Sequence, residues 1–176
     1  MNKKEIDGTL KKIAHGDNNA FERLYLETKR GIYSFLFSYF DNSADCEDAM
    51  QTTYLKIKQN IGQYKVGSNG LAWILQIAKN TALNKLREKA NYLKNQKKSI
   101  VNETSGYDNV ETKNVLMTTM KRVLDEEEQQ IVIFHVVWGY KHKEIAKITN
   151  NPIGTITSKY KRATDKLKAA WKEEQQ

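Results

Sequence analysis

Apolar side chains recur along this chain at three- and four-residue steps, interrupted by short polar stretches, and that is the period of amphipathic helices. The first clear stripe is Phe21, Leu24, Tyr25, Ile32, Tyr33, Leu36, Tyr39 and Phe40, opened by the capping cluster Asp17-Asn18-Asn19. It predicts an aromatic-rich helix of about two dozen residues. A second helix is predicted with Ser43 as its N-cap. Asp45, Glu47 and Asp48 stand in its first turn, where the helix dipole favours negative charge. Its core stripe reads Cys46, Ala49 or Met50, Thr53, Tyr54 and Ile57. Gly62 to Gly70 holds three glycines with Ser68 and Asn69, and reads as a loop. A third helix is predicted from about Leu71 to Lys89, on Trp73, Ile74, Ile77, Ala78, Ala82 and Leu86.

Beyond residue 90 the pattern changes. Asn91 to Asn109 is polar and shows no periodic apolar face, which predicts a linker. Helical period returns with Val115, Leu116, Met120, Val123 and Leu124, then with Ile131, Val132, Phe134 and Val137. Strand signals are nearly absent, and one proline in 176 residues leaves few helix breakers. The expected fold is all-α: two small helical domains, residues 1–90 and 113–176, joined by a flexible linker over residues 91–112.

Composition narrows the function classes. With 29 Lys and Arg against 21 Asp and Glu, the formal net charge of +8 suggests an anionic partner. The single Cys46 excludes an internal disulfide framework, and three histidines with one cysteine cannot form a cysteine-rich zinc site. No cofactor or metal is expected. The longest apolar run, Ile131 to Trp138, falls short of the roughly 18–20 residues of a membrane span, and the N-terminus lacks the apolar stretch of a signal peptide. A cytoplasmic protein without membrane insertion is therefore expected.

The C-terminal stretch carries the sharpest motif. Gly139 can close the preceding helix in the left-handed conformation, Lys143 to Ile148 forms a short amphipathic helix, and Thr149 to Gly154 forms a turn. Thr155 is expected to cap a second helix running to about Trp171, with Ile156, Tyr160, Ala163 and Leu167 facing inward. Thr155, Thr157, Ser158, Lys159, Lys161, Arg162 and Lys166, with Lys143 on the first helix, are the candidate DNA contacts. Short side chains let the backbone approach the groove, and long basic ones reach phosphates or guanine edges. Residues 139–172 hold nine basic side chains against only Glu144 and Asp165, whereas Asp125 to Glu128 are four consecutive acids. That polarity favours DNA binding over a merely solvated basic face.

Two surfaces are candidates in the N-terminal half. The second helix turns Glu47, Asp48, Gln51, Thr52, Leu55 and Lys58 outward. Periodicity alone makes this a solvated face, but an apolar anchor among polar groups is also how a protein docking surface looks. Tyr64 and Lys65 in the loop, with Trp73, Lys79, Asn80, Asn84, Lys85 and Arg87 on the third helix, have the composition of a single-strand binding groove.

Four ordered motifs then resemble one family. Asp17-Asn18-Asn19-Ala20-Phe21-Glu22-Arg23-Leu24-Tyr25, Asp45-Cys46-Glu47-Asp48-Ala49-Met50-Gln51, Ala72-Trp73-Ile74-Leu75-Gln76-Ile77-Ala78-Lys79-Asn80, and Glu144-Ile145-Ala146 through Pro152 to Lys159 are similar to bacterial RNA polymerase sigma factors. The resemblance is to the small extracytoplasmic-function class of the sigma-70 family, which keeps only the second and fourth conserved regions. It implies that Asp45, Glu47, Asp48, Gln51 and Leu55 dock on the clamp of core RNA polymerase. It implies that Tyr64, Lys65, Trp73, Lys79, Asn80, Asn84 and Arg87 read and melt the minus-ten promoter element. The second C-terminal helix then reads the minus-thirty-five element, and the linker threads toward the RNA exit path.

The chain departs from the family at Lys79, where arginine is common, at Asn84, where an acid is common, at Asn150 and Asn151 in the turn, and at Lys159, where arginine is frequent. Two weak DNA sites held at a fixed separation by polymerase would add through effective concentration. An anti-sigma factor is a partner the family allows, though no residue here signals it. A stand-alone helix-turn-helix regulator would explain residues 139–172 but leave the N-terminal surfaces without a role. An enzyme is not expected, since His15, His135 and His142 fall in unrelated segments.

Overall fold

The computed structural model describes residue 1, residues 3–96 and residues 115–173. Among the described residues the fold is all-α, with eight helices and one 3-10 turn: α1 (Lys3–Ala14), α2 (Asn18–Phe37), α3 (Ser43–Gln59), η1 (Ile61–Gln63), α4 (Gly70–Gln96), α5 (Val115–Val123), α6 (Glu126–Val136), α7 (His142–Thr149) and α8 (Ile153–Glu173). The chain divides into two compact units, Met1–Asp108 and Asn109–Gln176.

In the first unit four helices bury one stripe each. Ile6, Leu10 and Ile13 come from α1, Leu24, Ile32, Phe35 and Leu36 from α2, Cys46, Ala49, Tyr54 and Ile57 from α3, and Leu71, Ile74, Leu75, Ala78 and Ala82 from α4. Burying a side chain of this size contributes about 1.5–3 kcal/mol, so these stripes, more than helix propensity, hold the bundle. One polar pair lies inside it: the Tyr54 hydroxyl donates to Thr28 Oγ1 at 2.7 Å, and Thr28 in turn donates to the Leu24 carbonyl at 2.5 Å. Burial pushes the Tyr54 phenol far above its ordinary pKa. The Tyr25 ring meets the Tyr54 ring edge-on at 4.9 Å.

Several local expectations are corrected. Residues 3–14 form α1, which the sequence reading did not assign although Ile6, Leu10 and Ile13 keep helical steps. Asp17 caps α2 as expected, its Oδ1 accepting from the Ala20 amide at 2.9 Å. The cap of α3 is Asn42, not Ser43, since Asn42 Oδ1 accepts from the Asp45 amide at 2.7 Å. The third helix continues past Lys89 to Gln96, into the stretch expected to be linker. Residues 87–94 are all exposed, but no Gly or Pro interrupts them, and an established helix propagates without a buried face. The rest of the expected linker lies outside the described residues.

The second unit packs Met120, Leu124, Val132, Ile133 and Ala163, joined by partly buried Met117, Val123, Trp138, Tyr160 and Leu167. Asp125 opens α6 with a capping box, accepting from the Glu128 amide at 2.8 Å while Glu128 accepts from the Asp125 amide at 3.2 Å. Gly139 sits at φ +68° just after α6, and Asn150 at φ +54° ends α7; Asn is among the side chains that tolerate this left-handed turn. Thr155 does not cap α8. The helix begins at Ile153, with the Ile156 amide bonded to the Pro152 carbonyl, so Thr155 lies within the first turn.

Candidate polymerase and nucleic-acid interfaces

On α3, Glu47, Gln51 and Leu55 recur at four-residue steps and all three are exposed, Leu55 to 61%. Asp48 is exposed beside them, and Asp45 is half-buried at the edge facing α4. Both aspartates are paired across to that helix: Lys85 Nζ bonds Asp48 Oδ2 and lies 3.7 Å from Asp45, while Lys89 Nζ lies 3.1 Å from Asp45 Oδ2. The Asn42 side-chain amide, with help from Lys89, holds the Asp45 carboxyl below its ordinary pKa. Lys85 therefore does not join the flank that sequence reading gave it; it faces α3.

The opposite line of α4 carries Trp73, Gln76, Asn80, Asn84 and Arg87, all within about 80° of one another around the helix axis. Trp73 is half-buried, and the other four are exposed. Gln76 donates to Asn80 Oδ1 at 2.9 Å, which fixes both amides along the stripe. Lys79 is exposed but lies about 100° away from Asn80, on its flank. Lys65 projects from the exposed loop. Tyr64 departs from expectation. Counted among the stacking groups, it is only 7% exposed, its ring packs on Trp73 at 5.2 Å, and its hydroxyl donates to Asp7. Burial above all, and the bond to Asp7, push its phenol up to about 12.

On α8, Thr157, Ser158, Lys161, Arg162 and Lys166 are exposed, Thr155 and Lys159 are half-buried, and Lys143 is exposed on α7. The Thr157 and Ser158 hydroxyls donate back to the Ile153 and Thr155 carbonyls, so each is left to act as an acceptor. Three of the basic side chains are turned toward the acids of α6. Lys159 pairs with Glu127, Lys166 Nζ lies 2.7 Å from Glu128 Oε2, and Arg162 Nε lies 4.0 Å from Glu128 Oε1.

The family model described as Sigma-70 region 2 matches residues 24–92, from within α2 to near the end of α4. The one described as Sigma-70, region 4 matches residues 115–167, from α5 into α8. The RNA polymerase sigma factor CarQ of Myxococcus xanthus is 22% identical over 162 residues, covering 90% of this chain and 93% of that protein. The ECF RNA polymerase sigma-E factor of Haemophilus influenzae is 23% identical over 173 residues, covering 90% of each. The chain belongs to the sigma-70 family, in its extracytoplasmic-function class.

As a sigma factor it binds core RNA polymerase and directs promoter-specific transcription initiation. Two solved structures share its fold. CnrH, in complex with the cytosolic domain of CnrY, superposes with a TM-score of 0.67 at 16% identity, over 96% of this chain and 98% of that one. RpoE of Bartonella quintana, in complex with the anti-sigma factor NepR, gives 0.64 at 21% identity, over 86% and 95%.

One grouping in this sigma factor escaped the sequence reading. His135 and His142 are not in unrelated places: their rings lie 5.2 Å apart, and each meets the Tyr160 ring, at 4.7 and 4.9 Å. His135 Nδ1 donates to the Tyr140 carbonyl at 2.8 Å. Because the Thr157 hydroxyl proton goes to Ile153, His142 Nδ1 donates to Thr157 Oγ1 at 3.2 Å. Their seven-residue spacing across a turn gave no periodic signal. Among the described residues, no set of three or more His, Cys, Asp or Glu is placed to hold a metal ion, and no helix is long and apolar enough to cross a membrane.

Proposed function

We propose that residues 1–90 dock this sigma factor on core RNA polymerase and open the minus-ten element, and that residues 113–176 read the minus-thirty-five element. The docking row is Glu47, Gln51 and Leu55, bordered by Asp45 and Asp48. The minus-ten surface is the α4 line of Trp73, Asn80, Asn84 and Arg87, with Lys65 and Lys79 at its margin. Tyr64 serves under this surface and not on it. The minus-thirty-five reader is the exposed side of α8, with Lys143 of α7 beside it.

The observation that carries the reading is the single line on α4. An aromatic ring, two amides and a guanidinium at i, i+7, i+11 and i+14 offer stacking, hydrogen bonding and phosphate contact to one extended strand. Capturing an unstacked base there offsets the few kcal/mol that unstacking costs. The chain itself performs no covalent chemistry, which belongs to the polymerase, and it works in the cytoplasm where that enzyme is. An anti-sigma factor is a further partner in this reading, because RpoE was solved in complex with the anti-sigma factor NepR.

The test is transcription from a library of random promoters, with and without bacterial core RNA polymerase. Core-dependent initiation at a defined two-part motif is expected. Tight specific binding by the protein alone, unaffected by core, would make it a conventional helix-turn-helix regulator.

A further inference from the structure

The region 2 match begins at residue 24, so α1 lies outside it, yet α1 fixes the loop that leads into α4. One carboxylate oxygen does much of this. Asp7 Oδ1 accepts from the Tyr64 hydroxyl at the start of the loop and from the Gly67 amide, at 2.9 Å, in its middle. At the far end Gly70 lies hard against the same helix: a Cβ there would stand 2.9 Å from Ile6 Cγ2 and from Leu10 Cδ1. Ile6, Asp7 and Leu10, at i, i+1 and i+4 of one short helix, thus hold the loop at three points. What remains exposed is the arc of Lys65, Val66, Gly67 and Ser68, with Val66 49% exposed. Tyr64, clamped from below by Asp7, is in turn the surface on which Trp73 rests.

We infer that Asp7 is a positioning residue for promoter opening: without touching DNA, it presets the 64–70 loop and, through Tyr64, the Trp73 ring. The inference rests on the minus-ten reading of α4 given above. A loop ordered before the base arrives does not spend binding energy on its own ordering, which is the general advantage of a preorganised site. Asp7 lies 57 and 60 residues from its two donors, so the link joins a segment outside the recognised region to a surface inside it.

The experiment uses the full chain assembled with core polymerase on a promoter that the wild type opens, and compares Asp7→Ala, Asp7→Asn and Tyr64→Phe. Open-complex formation is followed by reactivity of unpaired thymines, core affinity is titrated separately, and hydrogen exchange of the Gly67 amide is read in the free chain. Asp7→Ala loses two hydrogen bonds, and its opening rate is expected to fall about tenfold or more, with Gly67 exchange rising by a similar factor. Core affinity should stay within about twofold, since the exposed α3 row is untouched. Asp7→Asn keeps an oxygen that can accept both bonds and is expected to recover most of the rate. Tyr64→Phe keeps the ring and should fall between. An Asp7→Ala complex that opens DNA as fast as wild type overturns the inference. So does a loss that appears equally in core affinity, or an Asp7→Asn variant as impaired as Asp7→Ala. A wild-type complex that opens no DNA anywhere in the library removes the minus-ten reading itself, and this inference with it.

Discussion

Lys166 on α8 reaches Glu128 on α6, its Nζ 2.7 Å from Oε2, and the carboxylate it meets is only 1% exposed. The pair ties the candidate DNA-reading helix to the capping box of another helix, since Glu128 also accepts from the Asp125 amide. Lys166→Ala leaves that carboxylate with the Asp125 amide and with Arg162 at 4.0 Å. The expected result is a loss of about 1–3 kcal/mol in the unfolding free energy of the second unit, the range for hydrogen bonds to charged groups. Lys168→Ala, at an exposed neighbour, should change it by less than about 0.5 kcal/mol. Denaturant unfolding of both variants decides whether Lys166 acts first as a structural cation.

Glu127 is placed differently. It is exposed, and its carboxylate is paired with Lys159. Glu127→Gln is expected to tighten promoter binding a few-fold and to steepen the dependence of log affinity on log salt by about one, because one more cation becomes available to DNA. Binding measured at a series of salt concentrations checks this. An unchanged slope would mean that Lys159 never meets the backbone.

Leu55 stands exposed on α3, outside the buried core of the bundle. Leu55→Ala is expected to leave thermal stability within about 0.5 kcal/mol of wild type. Its affinity for core RNA polymerase should fall about tenfold or more if the residue is an anchor in a polar surround. Equal core affinity in a titration would relegate the row to an ordinary solvated face.

Asp45 supplies a pH dependence. Its carboxyl is held low chiefly by the Asn42 amide and then by Lys89, so the ionised form is favoured in the folded state. A depressed carboxyl contributes stability that is present above its unfolded pKa and fades as pH falls through the folded one. From about pH 5 downward the wild type should lose melting temperature faster than Asp45→Asn. Parallel acid limbs in the two proteins would show that this carboxylate is not linked to folding.

Much of this was legible in the sequence because it is local. The apolar steps of α2, α3 and α4, the left-handed Gly139 and the paired helices α7 and α8 each depend on neighbours a turn or two away. What escaped was set by contacts between distant segments. Tyr64 reads as a loop aromatic available for stacking, and only Asp7, 57 residues earlier, turns it into a buried anchor. Lys159, Arg162 and Lys166 form a basic row by sequence, but the acids opening α6 share their surface. Asn42 and Ser43 are equally good caps on paper. The extended φ and ψ at Asn42 decide between them, because they place its side-chain oxygen on the Asp45 amide.

The exposed end of α4 makes that helix a spacer. With 27 residues it is about 40 Å long, and after Lys89, whose Nζ reaches Asp45 on α3, residues 90–94 are all exposed. Its length thereby sets the point and the direction in which the helix ends. Deleting four residues there would draw that point back by about 6 Å and turn it by about 40°, with no side chain of the core disturbed.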